Sequence, residues 1–405
     1  MKYFSSTAPD IHFLKTIYLV GVRIGSALAS GKDVHMLDRD LDNHQEMKEM
    51  VRCVQLHFRH QKQQREIAEQ LGISPSKVSR LLKRAYQEGI VRVHITLPPM
   101  PRLATALIDQ YGLRDAVVIP SGQASDVKED LGIATARYFE KIAGDGVKVG
   151  LSCGYTLYYM IKHLREGLIK DLQIYPLSAE STLRLVDLFP NTLVGMMAAK
   201  YRPDVTAYAL HAQLIGPLEE IDRERQLLLN RPEIRKIYEE AHEVDVALVG
   251  IGAVGPETPG FCSIAEYYGV SPQKLKAMKV VGEINYQPFD GGGHLVRQNE
   301  LEGLTKRVIA VAAEHLREMT RQHGKLIIAV AGGRYKFEAI RGALLGRLCN
   351  VLITDEEVAQ ALVHEPPPQR FIPKAYPSNS VLSTAYDQYS QPSKEESWGG
   401  GDGGA

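Results

Sequence analysis

Cysteine is scarce and scattered in this sequence: Cys53, Cys153, Cys262 and Cys349 lie far apart, with no Cys-x-x-Cys pair. That spacing excludes a disulfide framework and a cysteine zinc site of the usual kind, and it suits a reducing compartment. Long apolar runs are missing as well. None approaches the roughly 18 residues that cross a bilayer, and the nearest, 11–30, is cut by Lys15 and Arg23. Net charge is also absent, since 48 Lys and Arg balance 48 Asp and Glu. A chain that is basic throughout is thereby excluded, but a basic patch on one domain is not. The sequence has no internal repeat. Its histidines are scattered, and His57 and His60 read as surface residues rather than metal ligands. Neither a metal nor a cofactor is expected.

What is present suits a globular protein of two or three domains: 405 residues, 44% of them hydrophobic. Residues 1–45 lack sustained periodicity and read as a poorly ordered extension. Ala27 and Ala29 leave open a cleaved export signal. A dispensable extension, or a start at Met36, Met47 or Met50, is the plainer expectation. Residues 46–97 are densely helical in pattern and end at Leu97-Pro98-Pro99-Met100-Pro101, where proline disfavours a preceding helix. From 102 to 364, short apolar runs alternate with helical patterns. The tail, 365–405, is rich in Pro, Ser and Gly and reads as disordered.

In the large stretch the expected strands are Ala116–Ile119, Val147–Leu151, Leu172–Pro176, Val244–Val249, Leu326–Val330 and Val351–Thr354. Helical patterns at Asp130–Ile142, Leu301–Met319 and Phe337–Leu345 lie between them. Continuous apolar strands alternating with helices predict an α/β fold, a doubly wound and mainly parallel sheet.

Within 64–84, Ala68 is small where two helices would cross, Gly72 can end the first, and Ser74-Pro75 can start the second. Val78 and Leu82 would bury the second helix against Ile67 and Leu71. Its outward residues are then Ser76, Lys77, Ser79, Arg80 and Lys83, short donors and long cations suited to base edges and phosphates. Between 46 and 95 ten Lys and Arg face five Glu, a net +5 that the rest of the chain offsets. Ile90–Ile95 alternates like a β wing and carries Arg92. The bland alternative is an α-hairpin with a solvated face; the capping, the basic face and the wing together favour binding to double-stranded DNA.

In the large stretch, Gly150-Leu-Ser152-Cys-Gly154-Tyr-Thr156 follows a strand and opens a helix. Glycine admits close backbone approach, hydroxyls donate, and the helix N-terminus presents free N–H groups, which together can hold a phosphate. A plain N-cap at Ser152 is the competing reading. A second turn, Ala331-Gly332-Gly333-Arg334-Tyr335-Lys336, also follows a strand, and Lys336 is a natural counter-ion for that phosphate. Gly250-x-Gly252-x-x-Gly255 matches a dinucleotide fingerprint, but Pro256 and Pro259 oppose the helix such a site needs. It reads as a ligand-lining turn at Gly252. The glycine-rich loop 282–293 offers Glu283 and Asp290, either for sugar hydroxyls, as an acid–base pair, or only to shape a turn.

These motifs together resemble the SorC-type sugar-binding transcriptional regulators over residues 50–363. The resemblance rests on Ile67-Ala-Glu-Gln-Leu-Gly-Ile-Ser, Val78-Ser-Arg-Leu-Leu-Lys-Arg-Ala, Glu88-Gly-Ile-Val-Arg-Val and Gly150-Leu-Ser-x-Gly-x-Thr. It continues through Val246-Ala-Leu-Val-Gly-Ile-Gly, Ile328-Ala-Val-Ala-Gly-Gly, Ala339-Ile-Arg and Val351-Leu-Ile-Thr-Asp. It implies a winged helix-turn-helix joined to an effector domain like the sugar-phosphate isomerases and CoA transferases. It also implies phosphate contact at Ser152, Gly154, the Tyr155 backbone and Thr156, with Lys336 as cation. Cys153 stands where the family often has Trp, and Glu283 where it commonly has Asp.

The expected protein is a cytoplasmic, non-enzymatic regulator, a homodimer or homotetramer, whose operator affinity follows a phosphorylated sugar. The alternative is a sugar-phosphate isomerase or deaminase carrying a DNA-binding module, with Glu283 and Asp290 as acid and base.

Overall fold

The computed structural model describes residues 45–91, 98–121, 126–179, 188–212, 218–255, 259–374 and 376. The chain divides into two compact units, 1–95 and 96–405. Arg92 and most of the expected wing lie outside the described residues, as do the extension before Gln45 and the tail beyond Tyr376.

The first unit is helical. A helix over 45–54 runs into a π-helical turn, Gln55–Arg59, followed by helices Gln64–Leu71 and Pro75–Gln87. Gly72 ends the second helix at φ 65°, the left-handed conformation that closes a tight turn. Ser74 caps the next helix, its hydroxyl accepting from the Lys77 N–H at 3.2 Å, with Pro75 at the first helical position. Ile67, Ala68, Val78, Leu81, Leu82 and Ala85 pack with Met50, Cys53 and Leu56 in one small core. Losing a serine cap costs about 1 kcal/mol. Ser74→Ala should therefore lower hydrogen-exchange protection across 75–87 by that amount; unchanged protection would contradict the cap.

The second unit holds a seven-stranded parallel sheet: β1 (Asp115–Ile119), β2 (Lys148–Leu151), β3 (Leu172–Pro176), β4 (Val205–Ala207), β5 (Val246–Gly250), β9 (Leu326–Val330) and β10 (Val351–Asp355). Their spatial order is β1-β10-β9-β5-β2-β3-β4. β9 and β10 are buried at every residue, which is why they read as unbroken apolar runs rather than alternating ones. Helices Val127–Ile142, Tyr155–His163 and Pro190–Tyr201 cover one face through Phe139, Leu157, Met160 and Met197, against Leu248, Ile328 and Ile353. Helices Pro101–Tyr111, Ala313–Met319, Phe337–Leu345 and Glu356–His364 cover the other through Leu107, Leu316, Ile340 and Leu362, against Val249, Ala329 and Leu352. The α/β doubly wound architecture follows. The chain runs outward from β2 to β3 and β4 on one side, and from β5 to β9 and β10 on the other. The sheet therefore switches direction between β2 and β5, the place where such sheets bind ligands beyond their strand C-termini.

Three expectations are corrected. The helical pattern Leu301–Met319 is broken into helices Asn299–Lys306 and Ala313–Met319. The β-branched run between them is extended, with Ala179 N–H donating to Ile309 O and Val311 N–H to Leu177 O. The glycine-rich loop 282–293 is mostly sheet: β6 (Gly252–Ala253), β7 (Val280–Ile284) and β8 (Gln287–Asp290) form an antiparallel three-stranded sheet. Asn285 and Tyr286, at φ 49° and 65°, make its two-residue hairpin turn, whose two positive angles match the twist of the strands. Thirdly, the tail does not leave the domain at 365. Residues 365–374 run along its surface, where Phe371 packs on Tyr111 at 6.3 Å between ring centres.

Candidate functional site

In the helical unit, the second helix of the pair presents Ser76, Ser79, Arg80 and Lys83 to solvent, with the Arg80 side chain 69% exposed. Lys77 differs from them. It is half-buried and its ammonium lies 2.6 Å from Glu49 on the first helix. Glu46 holds Arg84 at 2.6 Å and stands 3.7 Å from Arg80. The helix over 45–54 therefore pairs with one flank of helix Pro75–Gln87 and leaves the Ser76–Lys83 face open. A short helix bearing hydroxyls and two unburied cations on one face has the dimensions and chemistry of a major-groove reader.

In the sheet unit, the residues singled out in sequence lie at the C-terminal edge beside the switch point. β2 ends into Ser152, and helix Tyr155–His163 starts three residues later behind Gly154, at φ 132° and ψ 156°. Only glycine takes that backbone readily. Without a side chain to cap the helix, the first-turn N–H groups at Tyr155 and Thr156 point out beyond the strand ends, where the dipole favours an anion. Ser152 itself is buried at 2% exposure, and its hydroxyl donates to Asn285 Oδ1 at 3.2 Å. Asn285 in turn donates to Leu177 O and Val311 O, at 3.0 and 2.8 Å. Ser152 thus ties the loop to the β7–β8 turn, while the outward donors are backbone N–H groups.

β9 ends into the second turn, and Lys336 leans from it toward β5, donating to Ile251 O at 2.7 Å. β5 alone separates β2 from β9, so the two turns stand roughly 10 Å apart, within reach of one lysine and one bound phosphate. Gly252 is paired with Glu283 across β6 and β7, and so floors the same corner. Burial pushes the Glu283 carboxyl up to about 7, against the pull of the Tyr286 N–H at 2.7 Å and of Lys336. Burial pulls Lys336 down to about 8, Glu283 opposes that, and Lys128 adds to it. A second cation, Lys128, is therefore at the site, its ammonium 5.5 Å from the centre of the exposed Tyr155 ring. Sequence reading missed Lys128, which sits at the start of a helix where a cation is electrostatically misplaced. It missed Asn285 as well. Burial raises the Cys153 thiol to about 11, which leaves it uncharged in this corner. Asp290 is placed apart: its Oδ1 accepts from the Gly292 and His294 N–H groups, both at 2.9 Å, and so closes the turn after β8.

The pair of perturbed groups gives the corner a pH signature. Between pH 7 and 9 Lys336 loses its charge and Glu283 completes its ionisation, while a phosphate monoester, with a second pKa near 6, stays a dianion. Affinity for such a ligand should fall at least about tenfold over that range. Titration calorimetry at pH 7 and 9 reads this directly, and equal affinities would exclude the two groups from the site.

The family model for a sugar-binding domain (Sugar-bind) matches residues 99–364, and one for a winged helix-turn-helix DNA-binding domain matches 62–92. The chain is similar to the deoxyribonucleoside regulator of Bacillus subtilis (strain 168), 28% identical over 319 residues, 78% of this chain and 97% of that protein. It is similar to the sorbitol operon regulator of Klebsiella pneumoniae, 26% identical over 330 residues, 80% of this chain and all of that protein. Among solved structures it resembles the full-length sorbitol operon regulator SorC from Klebsiella pneumoniae. That match has a TM-score of 0.58 and 26% identity, over 78% of this chain and 98% of the other.

Proposed function

Since the chain belongs to the SorC-type family of sugar-binding transcriptional regulators, we propose that its effector is a phosphorylated sugar and that this ligand sets operator affinity. The observation that carries the reading is the convergence of an uncapped helix start at Gly154 with Lys336 and Lys128 at the switch point of the sheet. The phosphate rests on the Gly154, Tyr155 and Thr156 backbone, held in place through Ser152 and Asn285. Lys336 supplies the positive charge, and Glu283 and Gly252 line the sugar side, where a carboxylate can accept hydroxyl donors. Asp290 acts on the sugar only through the turn it closes. Operator contact belongs to Ser76, Ser79, Arg80 and Lys83, with Lys77 in a supporting role and Arg92, outside the described residues, as a further backbone contact.

Regulation requires the sugar phosphate to bind the operator-competent and operator-incompetent arrangements unequally, because equal affinity shifts nothing. Reading two half-sites requires at least a dimer, so the working form is a cytoplasmic homodimer or homotetramer. The ligand leaves unchanged. The test is a thermal-shift screen of phosphorylated and free sugars, with each hit then incubated with the protein and followed by NMR. Stabilisation by a phosphorylated sugar that stays chemically intact supports the reading. Turnover of that sugar would favour an isomerase or deaminase, and a flat response to every sugar phosphate would remove the effector role.

A further inference from the structure

The opposite edge of the sheet carries a second concentration of positive charge. Arg114 directly precedes β1, Arg347 lies shortly before β10, and Arg321 shortly before β9. These three strands are neighbours and parallel, so all three arginines stand at the N-terminal edge, remote from Ser152 and Lys336. The segment after the last helix brings a fourth cation to them. Arg347 donates to Ile372 O at 2.6 Å and lies over the Phe371 ring, fixing the segment. Two residues on, the Lys374 backbone sits against Gly112, where an added Cβ would lie 2.2 Å from the Lys374 nitrogen. The Lys374 ammonium and the Tyr376 hydroxyl both donate to Thr320 O, next in the chain to Arg321.

Among the described residues none of the four cations is in an ion pair. Lys374 is pulled below the usual lysine value, first by burial and then by Arg321, Arg347 and Arg114 together. Four like charges with no salt-bridged carboxylate among the described residues repel one another, and three are guanidinium forks whose planar donors match phosphate oxygens. A single carboxylate would leave most of that charge unmet, whereas a phosphate dianion or a chain of phosphates would not. Neither the sugar-phosphate corner nor the helix-turn-helix uses these residues.

We propose that Arg114, Arg321, Arg347 and Lys374 form a second anion site, at the N-terminal edge of the sheet, for a phosphate-bearing ligand. The phosphates come either from a free oligophosphate or from a nucleic-acid backbone. Inorganic triphosphate is the probe, titrated calorimetrically into the full chain and into Arg114→Gln/Arg321→Gln. The double variant should bind it at least tenfold more weakly, with its response to sugar phosphates unchanged. Arg321 is exposed, so Arg321→Gln alone should keep the wild-type melting temperature and still lose about threefold. The source is read from DNA affinity against salt. A slope reduced by about two in the double variant identifies backbone phosphates, and an unchanged slope identifies a free ligand. The site is overturned if triphosphate binds the double variant as it binds the wild type, if Lys336→Met alone abolishes that binding, or if the wild type does not bind triphosphate.

Discussion

Replacing Arg80 with alanine should lower operator affinity by ten- to a hundredfold. The Arg80 side chain is 69% exposed on the reading face, and its neighbour Glu46 is 3.7 Å away and weakly engaged. A guanidinium so placed is free to make a bidentate contact with a base edge, which discriminates by about 1–3 kcal/mol. Lys77 provides the internal comparison. Its ion pair with Glu49 is closer, at 2.6 Å, and half-buried. Lys77→Ala should therefore cost operator affinity no more than about threefold, the scale of a partly exposed pair. The assay is fluorescence anisotropy at fixed salt on an operator selected from random duplexes, with a scrambled duplex alongside. If Arg80→Ala weakens both duplexes equally, Arg80 contacts phosphate and not a base; if Lys77→Ala is the more damaging, the assignment of the face is wrong.

Lys336→Met should lower affinity for the sugar phosphate by a similar factor while leaving the unliganded protein folded. A hydrogen bond to a charged group contributes about 1.5–3 kcal/mol, a tenfold to hundredfold loss in binding. Burial disfavours the Lys336 charge, so a methionine of similar length removes a desolvated cation without opening a cavity, and this offsets the lost donor to Ile251 O. Ser152→Ala should behave differently, because its hydroxyl is spent on Asn285. It should weaken the effector by several-fold through a loosened loop and leave operator binding by the unliganded protein intact. Calorimetry with the effector identified by thermal shift, together with melting curves of each variant, separates the two roles. A Lys336→Met protein that melts much earlier than wild type would mark the lysine as a structural residue.

The sheet was legible because its central strands are buried on both faces and so appear as uninterrupted apolar runs, with Leu326–Val330 as the clearest case. The helix-turn-helix was legible because Gly72 and Ser74-Pro75 each do one local job that few residues do. The β7–β8 hairpin was not, since Tyr286 adopts a positive φ that sequence patterns reserve for glycine and asparagine. Its position depends on Asn285 bonding to Leu177 and Val311, more than a hundred and some twenty-six residues away in sequence. Long-range partners also explain Lys77 and Ser152, whose residue types suggested direct contact. Each is engaged by a neighbour, Glu49 or Asn285, that no local pattern identifies. Lys128 escaped notice for the same reason, because only the fold sets it beside Tyr155 and Lys336. Arg347 and Phe371, which hold the segment after the last helix, lie in a turn after a helix and in a proline-rich stretch that share no periodicity.

On the proposed reading, a phosphate held between Gly154 and Lys336 changes how the protein holds DNA. Operator affinity measured at one fixed salt concentration, with the phosphorylated sugar, with its unphosphorylated form and with neither, in wild type and in Lys336→Met, tests it most directly. The expected result is a shift of at least tenfold with the phosphorylated sugar in the wild type, none with the free sugar, and little or none in Lys336→Met. An equal shift with the free sugar, or a full shift in Lys336→Met, would contradict it.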